Sequence, residues 1–318
     1  LIGGFYVAAS PVLCLVGPTG TGKSEAAMAL SRHFPIEVIS VDSAAVYRHM
    51  DIGTAKPSKE ARLHCPHHLI DMVDPDDVYS AGAFFEDSAQ LVRTIRENGK
   101  IPLLVGGTMM YAYCLLQGLS PLPPKDPAAR AFWLDEGEKK GWATLHRILQ
   151  DIDPLAAGKI SLNDKQRISR FLEIYTITGK PWSALCQEKK KWPFPVCFLG
   201  WDIADRQHHE DLLKKRFAHM LEKGLVQEAS MLVNRYGLTG DAPSMKAVGY
   251  REAWLFLQGK IKKEALLKEG LKSTLFLVKR QRTWMRKLPL AYTMNALKKD
   301  FFSQVIQFIN QENASKNF

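Results

Sequence analysis

Gly17-Pro18-Thr19-Gly20-Thr21-Gly22-Lys23-Ser24 satisfies every fixed position of the pattern G-x-x-x-x-G-K-[ST]. A short apolar run, Val12 to Val16, leads into it, and Ala-rich, helix-favouring sequence follows from Ser24 to His33. The order strand, glycine loop, helix gives the pattern a mechanism. Glycines let successive backbone N–H groups turn inward around phosphate oxygens, and the helix N-terminus adds the positive end of its dipole. Lys23 contributes a mobile charge, and the Ser24 hydroxyl suits Mg2+. Gly17 to Ser24 is therefore expected to bind phosphate.

Working outward, further apolar runs read as strands. Ile36 to Val41 ends at Asp42-Ser43, and Ile101 to Val105 runs into Gly106-Gly107-Thr108 before helical sequence from Met109 to Gln117. Near-continuous apolar strands alternating with helices indicate a parallel sheet covered on both faces. The expected fold is thus α/β, a P-loop NTPase-like parallel sheet flanked by helices, with a helical insertion domain. Ligands in such sheets collect at the carboxyl ends of the strands, which predicts that Lys23, Asp42 and Thr108 meet at one rim. Asp42 and Thr108 each also suit a plain helix-capping role.

Pro121 to Pro124 reads P-L-P-P, a stiff break. The polar, helical pattern from Lys125 to about Gln187 is read as an insertion spanning 123–195, inside a core made of 12–122 and 196–318. Within the insertion, Arg167 and Arg170 lie three apart on one helix face. A further strand is expected from Val196 to Trp201, and helix almost to the end thereafter.

The chain has 318 residues and a formal net charge of +10, and the surplus is local. Residues 1–245 hold 28 basic and 28 acidic side chains, whereas 246–299 hold 14 and 3. That asymmetry argues for a polyanion-binding surface in one segment. Its core is Lys279-Arg280-Gln281-Arg282-Thr283-Trp284-Met285-Arg286-Lys287, in which Lys279, Arg282 and Arg286 follow helical spacing. Cations neutralise phosphates and aromatics stack on exposed bases, so structured or single-stranded RNA fits better than an acidic protein or a membrane surface. Trp284 also suits an ordinary core position beneath such a face.

Cys14, Cys65, Cys114, Cys186 and Cys197 are odd in number, and no C-x-x-C pair occurs. A disulfide framework is not expected, and a reducing, cytoplasmic setting fits. His64, Cys65, His67 and His68 are too close along one loop to be expected to converge on an ion. Gly3, Gly4, Ser10 and Pro11 interrupt the uncharged start, so no membrane span is expected there.

Beyond the phosphate loop, the sequence resembles the tRNA dimethylallyltransferases (tRNA isopentenyltransferases), in their bacterial form, from about Val12 to Lys287. The resemblance is carried by G-P-T-G-T-G-K-S at 17–24, D-S-A-A-V-Y-R-H-M-D-I-G-T-A-K-P at 42–57 and P-H-H-L-I-D at 66–71. Y-S-A at 79–81, L-V-G-G-T at 104–108 and N-D-K-Q-R at 163–167 continue the series. A-V-G-Y-R at 247–251 and K-R-Q-R-T-W-M-R at 279–286 complete it.

The resemblance implies a loop that holds the diphosphate of dimethylallyl diphosphate, with the five-carbon group passing to N6 of the adenosine 3′ of the anticodon. It implies Asp42 as the base, and Thr108 and Arg216 on the leaving diphosphate. Gly17, Pro18, Thr19, Gly20, Thr21, Gly22, Lys23 and Ser24 would bind that diphosphate, with Mg2+ on Ser24. The implied tRNA contacts are Asp42, Ser43, Ala44, Ala45 and Arg130, then Gln166, Arg167, Ile168, Ser169 and Arg170. Lys246, Gly249, Tyr250 and Arg251 follow, with Lys279, Arg280, Gln281, Arg282, Trp284 and Arg286 in the C-terminal run. The partners are tRNA and dimethylallyl diphosphate, and the chain is expected to work as a monomer. A P-loop kinase or ATPase acting with RNA, and an RNA-binding protein with a vestigial loop, are the competing readings.

Overall fold

The computed structural model describes residues 10–297 together with Val305. The start of the chain before Ser10 lies outside the described residues, as does the helical run expected beyond residue 297, Val305 apart. The chain divides into two units, Gln117–Lys191 and the sequence on either side of it.

In the larger unit, six strands form one parallel sheet. They are β1 (Val12–Val16), β2 (Ile36–Val41), β3 (His67–His68), β4 (Ile101–Gly106), β5 (Val196–Asp202) and β6 (Leu290–Asn295), in the order β3-β2-β4-β1-β5-β6. Every residue of β1 and β4 is buried, as expected of central strands covered on both faces. The helix Ala81–Glu97 covers part of that sheet. Ser80 caps it by accepting the Ala83 N–H, and Phe84, Phe85, Ser88, Ala89, Val92 and Ile95 form its buried stripe.

Two strands were not legible in the sequence. β6 lies where helix was expected, paired with β5. It is an edge strand following Pro289, and of its residues only Met294 is fully buried, so no apolar run marks it. β3 has two residues and is stitched to Val38 and Ile39 of β2.

Register matters most at the carboxyl ends. Val16 and Val41 both lie opposite Gly106, so the chain leaves β1, β2 and β4 at one level. Gly106 is required there: a Cβ on it would sit 2.1 Å from the Val41 carbonyl oxygen. Gly17, Asp42 and Gly107 therefore open three loops on one rim.

The smaller unit is helical and has its own core of Trp142, Leu145, Leu149, Ile168 and Leu172. Its longest helices are Pro127–Lys140 and Lys165–Thr178.

Candidate active site

Three carbonyl oxygens of the phosphate loop are already held by donors. The Pro18 oxygen accepts from Thr21 Oγ1 at 2.9 Å and from Lys23 Nζ at 2.5 Å. The Thr19 oxygen is held by His209 Nε2 at 3.0 Å, and the Thr21 oxygen by Trp201 Nε1 at 2.6 Å. Gly20 and Gly22 take φ of 73° and 81°, the left-handed region open to glycine at no steric cost. Gly22 then precedes the helix Lys23–Leu30. Among the described residues, no acceptor takes the N–H groups of Gly20, Thr21, Gly22, Lys23 or Ser24. Five unanswered donors at a helix N-terminus form an anion cradle.

Two cations flank the cradle. Lys23 and Arg216 line the same cleft. Burial, and then the neighbouring Arg216 guanidinium, lower the Lys23 pKa from 10.5 to about 8. Burial likewise lowers Arg216, while Glu25 and Asp42 act on it only through their fields. No ion pair holds either cation among the described residues. Two like charges on one cleft, Lys23 buried and Arg216 half-buried, favour an anion between them.

The rim expected from sequence is present. Asp42 Oδ1 accepts the N–H groups of Ala44 and Ala45 at 2.8 and 3.2 Å, which leaves Oδ2 without a partner among the described residues. No helix follows Asp42, so Oδ1 braces the turn after β2 and caps no helix. Thr108 does not cap its own helix. Its Oγ1 accepts the Ser43 N–H at 3.0 Å and lies 3.2 Å from Ser43 Oγ, tying the β4 loop to the β2 loop.

Behind Asp42, the motifs at 42–57 and 66–71 are bound to each other. Lys56 Nζ, buried to 2% exposure, lies 2.7 Å from Asp71 and 3.2 Å from Asp51, and Arg62 reaches Asp71 at 2.7 Å. Ala55, Leu69 and Asp71 adopt positive φ (51°, 60° and 58°), local strain of a kind that the surrounding structure must hold in place. The cleft wall includes Val38, Ala45, Ile70 and Val105, an apolar surface to which the motifs gave no role, save Ala45 as an implied tRNA contact. His67 Nδ1 bonds the Cys65 carbonyl and His68 Nε2 bonds Glu37, so neighbouring protein groups occupy these ring nitrogens. For a divalent cation, the residue that fits is Ser24, whose hydroxyl has no intramolecular hydrogen bond among the described residues and lies beside the cradle.

The cationic segment divides into outward and inward residues. Lys246, Arg251, Lys279, Arg280 and Arg286 are exposed. Trp284 is half-buried against Tyr113, with Lys287 Nζ 4.6 Å from its ring. Tyr250 is fully buried, its hydroxyl 2.5 Å from Glu228 and 3.2 Å from the Gly53 N–H. Gly249 is buried at φ 93°. Gln281 is also buried, and Arg282 forms a bidentate pair with Asp202 at 2.8 and 2.9 Å. On the helix Leu266–Met285, positions 274, 278, 281 and 285 make the buried stripe. Arg282 stands at its border and turns inward.

In the helical unit, Asp164 caps Lys165–Thr178 through the Arg167 N–H, and Gln166 and Arg167 are exposed. Ile168 and Ser169 are buried at 0% and 1% exposure, so neither side chain is presented to solvent. Arg170 binds the wholly buried Glu173 and the Pro123 carbonyl, each at 2.5 Å, and Arg130 lies 3.9 Å from Glu173. Arg170 is committed to a buried carboxylate, whereas Arg130 lies near it without a hydrogen bond. Sequence spacing alone does not separate this role from an outward one.

The family model for IPP transferase matches residues 45–288, and that for isopentenyl transferase matches residues 10–69. A tRNA dimethylallyltransferase of Nitrosomonas europaea is 42% identical over 306 residues, covering 95% of this chain and 96% of the relative. One of Thiobacillus denitrificans is 44% identical over 300 residues, covering 94% and 96%. Among solved structures, a tRNA isopentenylpyrophosphate transferase from Bacillus halodurans superposes with a TM-score of 0.69 at 32% identity, covering 96% of this chain and 98% of the other. A eukaryotic dimethylallyltransferase, described as acting on tRNA, superposes with a TM-score of 0.78 at 27% identity, over 96% and 80%. With a P-loop NTPase-like fold and matches across nearly its whole length, the chain belongs to the IPP transferase family.

Proposed function

We propose that the protein transfers the dimethylallyl group of dimethylallyl diphosphate to N6 of the adenosine 3′ of a tRNA anticodon, releasing diphosphate. The observation that carries this reading is the pair of cations, buried Lys23 and half-buried Arg216, beside five unanswered N–H donors and lining one cleft with Asp42. The N6 lone pair forms the new C–N bond while the C–O bond to diphosphate breaks and its electron pair leaves with the phosphate oxygen. Preorganised donors and cations offset the charge that grows there. Asp42 Oδ2 takes the N6 proton, with Oδ1 anchored by Ala44 and Ala45. Thr108, fixed to Ser43 beside Asp42, would donate to the leaving diphosphate. Mg2+ held through Ser24 would add positive charge to the leaving group. The apolar wall of Val38, Ala45, Ile70 and Val105 suits a five-carbon allyl chain.

The target base must leave its stack to reach Asp42. Exposed Lys246, Arg251, Lys279, Arg280 and Arg286 in the core, and Gln166 and Arg167 in the helical unit, offer tRNA contacts. No helix of the described residues is long and apolar enough to cross a membrane. Five free cysteines accord with a reducing, cytoplasmic setting, and a monomer suffices for the chemistry.

ATP turnover is the weaker reading. An NTPase holds Mg2+ on an acid at a strand tip. That reading would use Asp42 at the tip of β2, the carboxylate needed here as the base, since β4 ends in glycine and Asp202 at the end of β5 is paired with Arg282. Incubation with labelled dimethylallyl diphosphate and unmodified tRNA, without ATP, tests the choice. Label in tRNA is expected; ATP turnover with no label transfer would contradict the proposal.

A further inference from the structure

Gln281 and Arg282 sit in the middle of a cationic run, yet Gln281 bonds the phosphate loop directly and Arg282 reaches it through His209. Gln281 Oε1 accepts the Thr19 N–H at 2.9 Å, and its Nε2 donates to the Gly107 carbonyl at 2.9 Å. One buried amide thus joins the loop after β1 to the loop after β4, which carries Thr108. The fit leaves no slack, since a Cβ on Gly107 would lie 2.5 Å from Gln281 Nε2.

His209 holds the other side of the same residue. It is 1% exposed, and its Nε2 lies 3.0 Å from the Thr19 carbonyl oxygen. Its Nδ1 faces Arg282 Nη2 at 2.8 Å. A guanidinium can only donate, so Nδ1 is the bare acceptor and Nε2 carries the proton given to Thr19. Burial lowers the His209 pKa, which keeps the ring neutral and this tautomer in place. Arg282 is in turn fixed by Asp202 at the end of β5 and by the Ile203 carbonyl. A continuous chain of hydrogen bonds therefore runs from the sheet to the loop.

We propose that Gln281 and His209 are positioning residues of the phosphate loop, gripping Thr19 from both sides so that the N–H groups from 20 to 24 converge on one diphosphate. Gln281 is then not a tRNA contact, although exposed tRNA-facing cations surround it in sequence. Without the two grips, the peptides either side of Thr19 are free to rotate, and the cradle must be ordered by the ligand itself. Preorganisation of donors is what such a site contributes, and its loss appears first in diphosphate affinity. The proposal rests on the diphosphate reading of the loop.

The test measures two affinities on the full-length protein, for inorganic diphosphate with Mg2+ by calorimetry and for tRNA across a salt series. Gln281→Met keeps length and removes both hydrogen bonds, and His209→Ala removes the second grip. Each is expected to weaken diphosphate binding by roughly tenfold or more, on the scale of one buried hydrogen bond lost in His209→Ala and two in Gln281→Met. The tRNA affinity and its salt slope should remain within twofold of wild type. His209→Gln places an amide N–H near the position of Nε2 and should recover most of the diphosphate affinity. Diphosphate binding unchanged in Gln281→Met, a flattened tRNA salt slope in that variant, or no advantage of His209→Gln over His209→Ala would each overturn the proposal. A wild-type protein that binds diphosphate in this Gln281-dependent way but transfers no prenyl group would refute the prenyl-transfer reading and leave this one standing.

Discussion

Lys23 and Arg216 store the site's electrostatic tension, and that tension has a pH signature. The Lys23 pKa is lowered to about 8, so the empty protein binds fewer protons than the unfolded chain between about pH 8 and pH 10.5. Lys23 therefore costs stability below pH 8, and the cost fades as pH rises through that window. A bound diphosphate restores the proton. Binding of diphosphate at pH 8.5 is expected to take up a substantial fraction of a proton, detectable by calorimetry in buffers of different ionisation enthalpy. Its affinity should fall as pH rises further, and Lys23→Met should abolish the uptake. Uptake of the same size in Lys23→Met would place the titrating group elsewhere. At Asp42 the expectation is kinetic. Asp42→Asn keeps an acceptor for Ala44 and Ala45 but loses the base, so transfer should drop by about 100-fold or more with tRNA affinity retained. Equal transfer rates would remove Asp42 from the base role. Lys23, Asp42 and Thr108 were legible because each follows a strand end, and strand ends can be read from apolar runs. Arg216 was reachable only through resemblance, because its burial beside Lys23 is tertiary. Tyr250, Ile168 and Ser169 show the limit of motif reading, since membership in a motif does not tell an inward side chain from an outward one.

At the scale of elements, the helix Leu266–Met285 presents two faces with separate consequences. Lys279 points to solvent, whereas Arg282 is 17% exposed and paired with Asp202 at 15%. Lys279→Ala is expected to weaken tRNA binding and lower its salt slope by about one. Arg282→Ala should leave the slope unchanged and lower the thermal midpoint, because breaking such an ion pair costs about 3 kcal/mol. Equal slope changes in both variants would mean that Arg282 leaves Asp202 to meet phosphate. The 3-4 spacing of Lys279, Arg282 and Arg286 does not show which of them lies at the border of the buried stripe. Strands followed the same logic. β1, β2, β4 and β5 are apolar runs and were readable, whereas β6 buries mainly Met294 and β3 is two residues long. Edge strands carry too little apolar pattern to show themselves.

Across the whole molecule, the net charge of +10 separates chemistry from docking. The first 245 residues, with 28 basic and 28 acidic side chains, hold the cradle, Asp42 and Thr108. The excess of 14 over 3 between 246 and 299 supplies outward cations, and also Arg282, whose charge is spent on bracing the loop. In the proposed function, the basic segment would dock one polyanion and shape the site of another. Mass spectrometry of tRNA nucleosides, before and after incubation with the protein, Mg2+ and dimethylallyl diphosphate, tests this account most directly. It predicts N6-dimethylallyladenosine, confined to the nucleotide 3′ of the anticodon and absent when Asp42→Asn replaces the wild-type protein. Unmodified nucleosides with the wild-type protein, or the same product from Asp42→Asn at an equal rate, would contradict it.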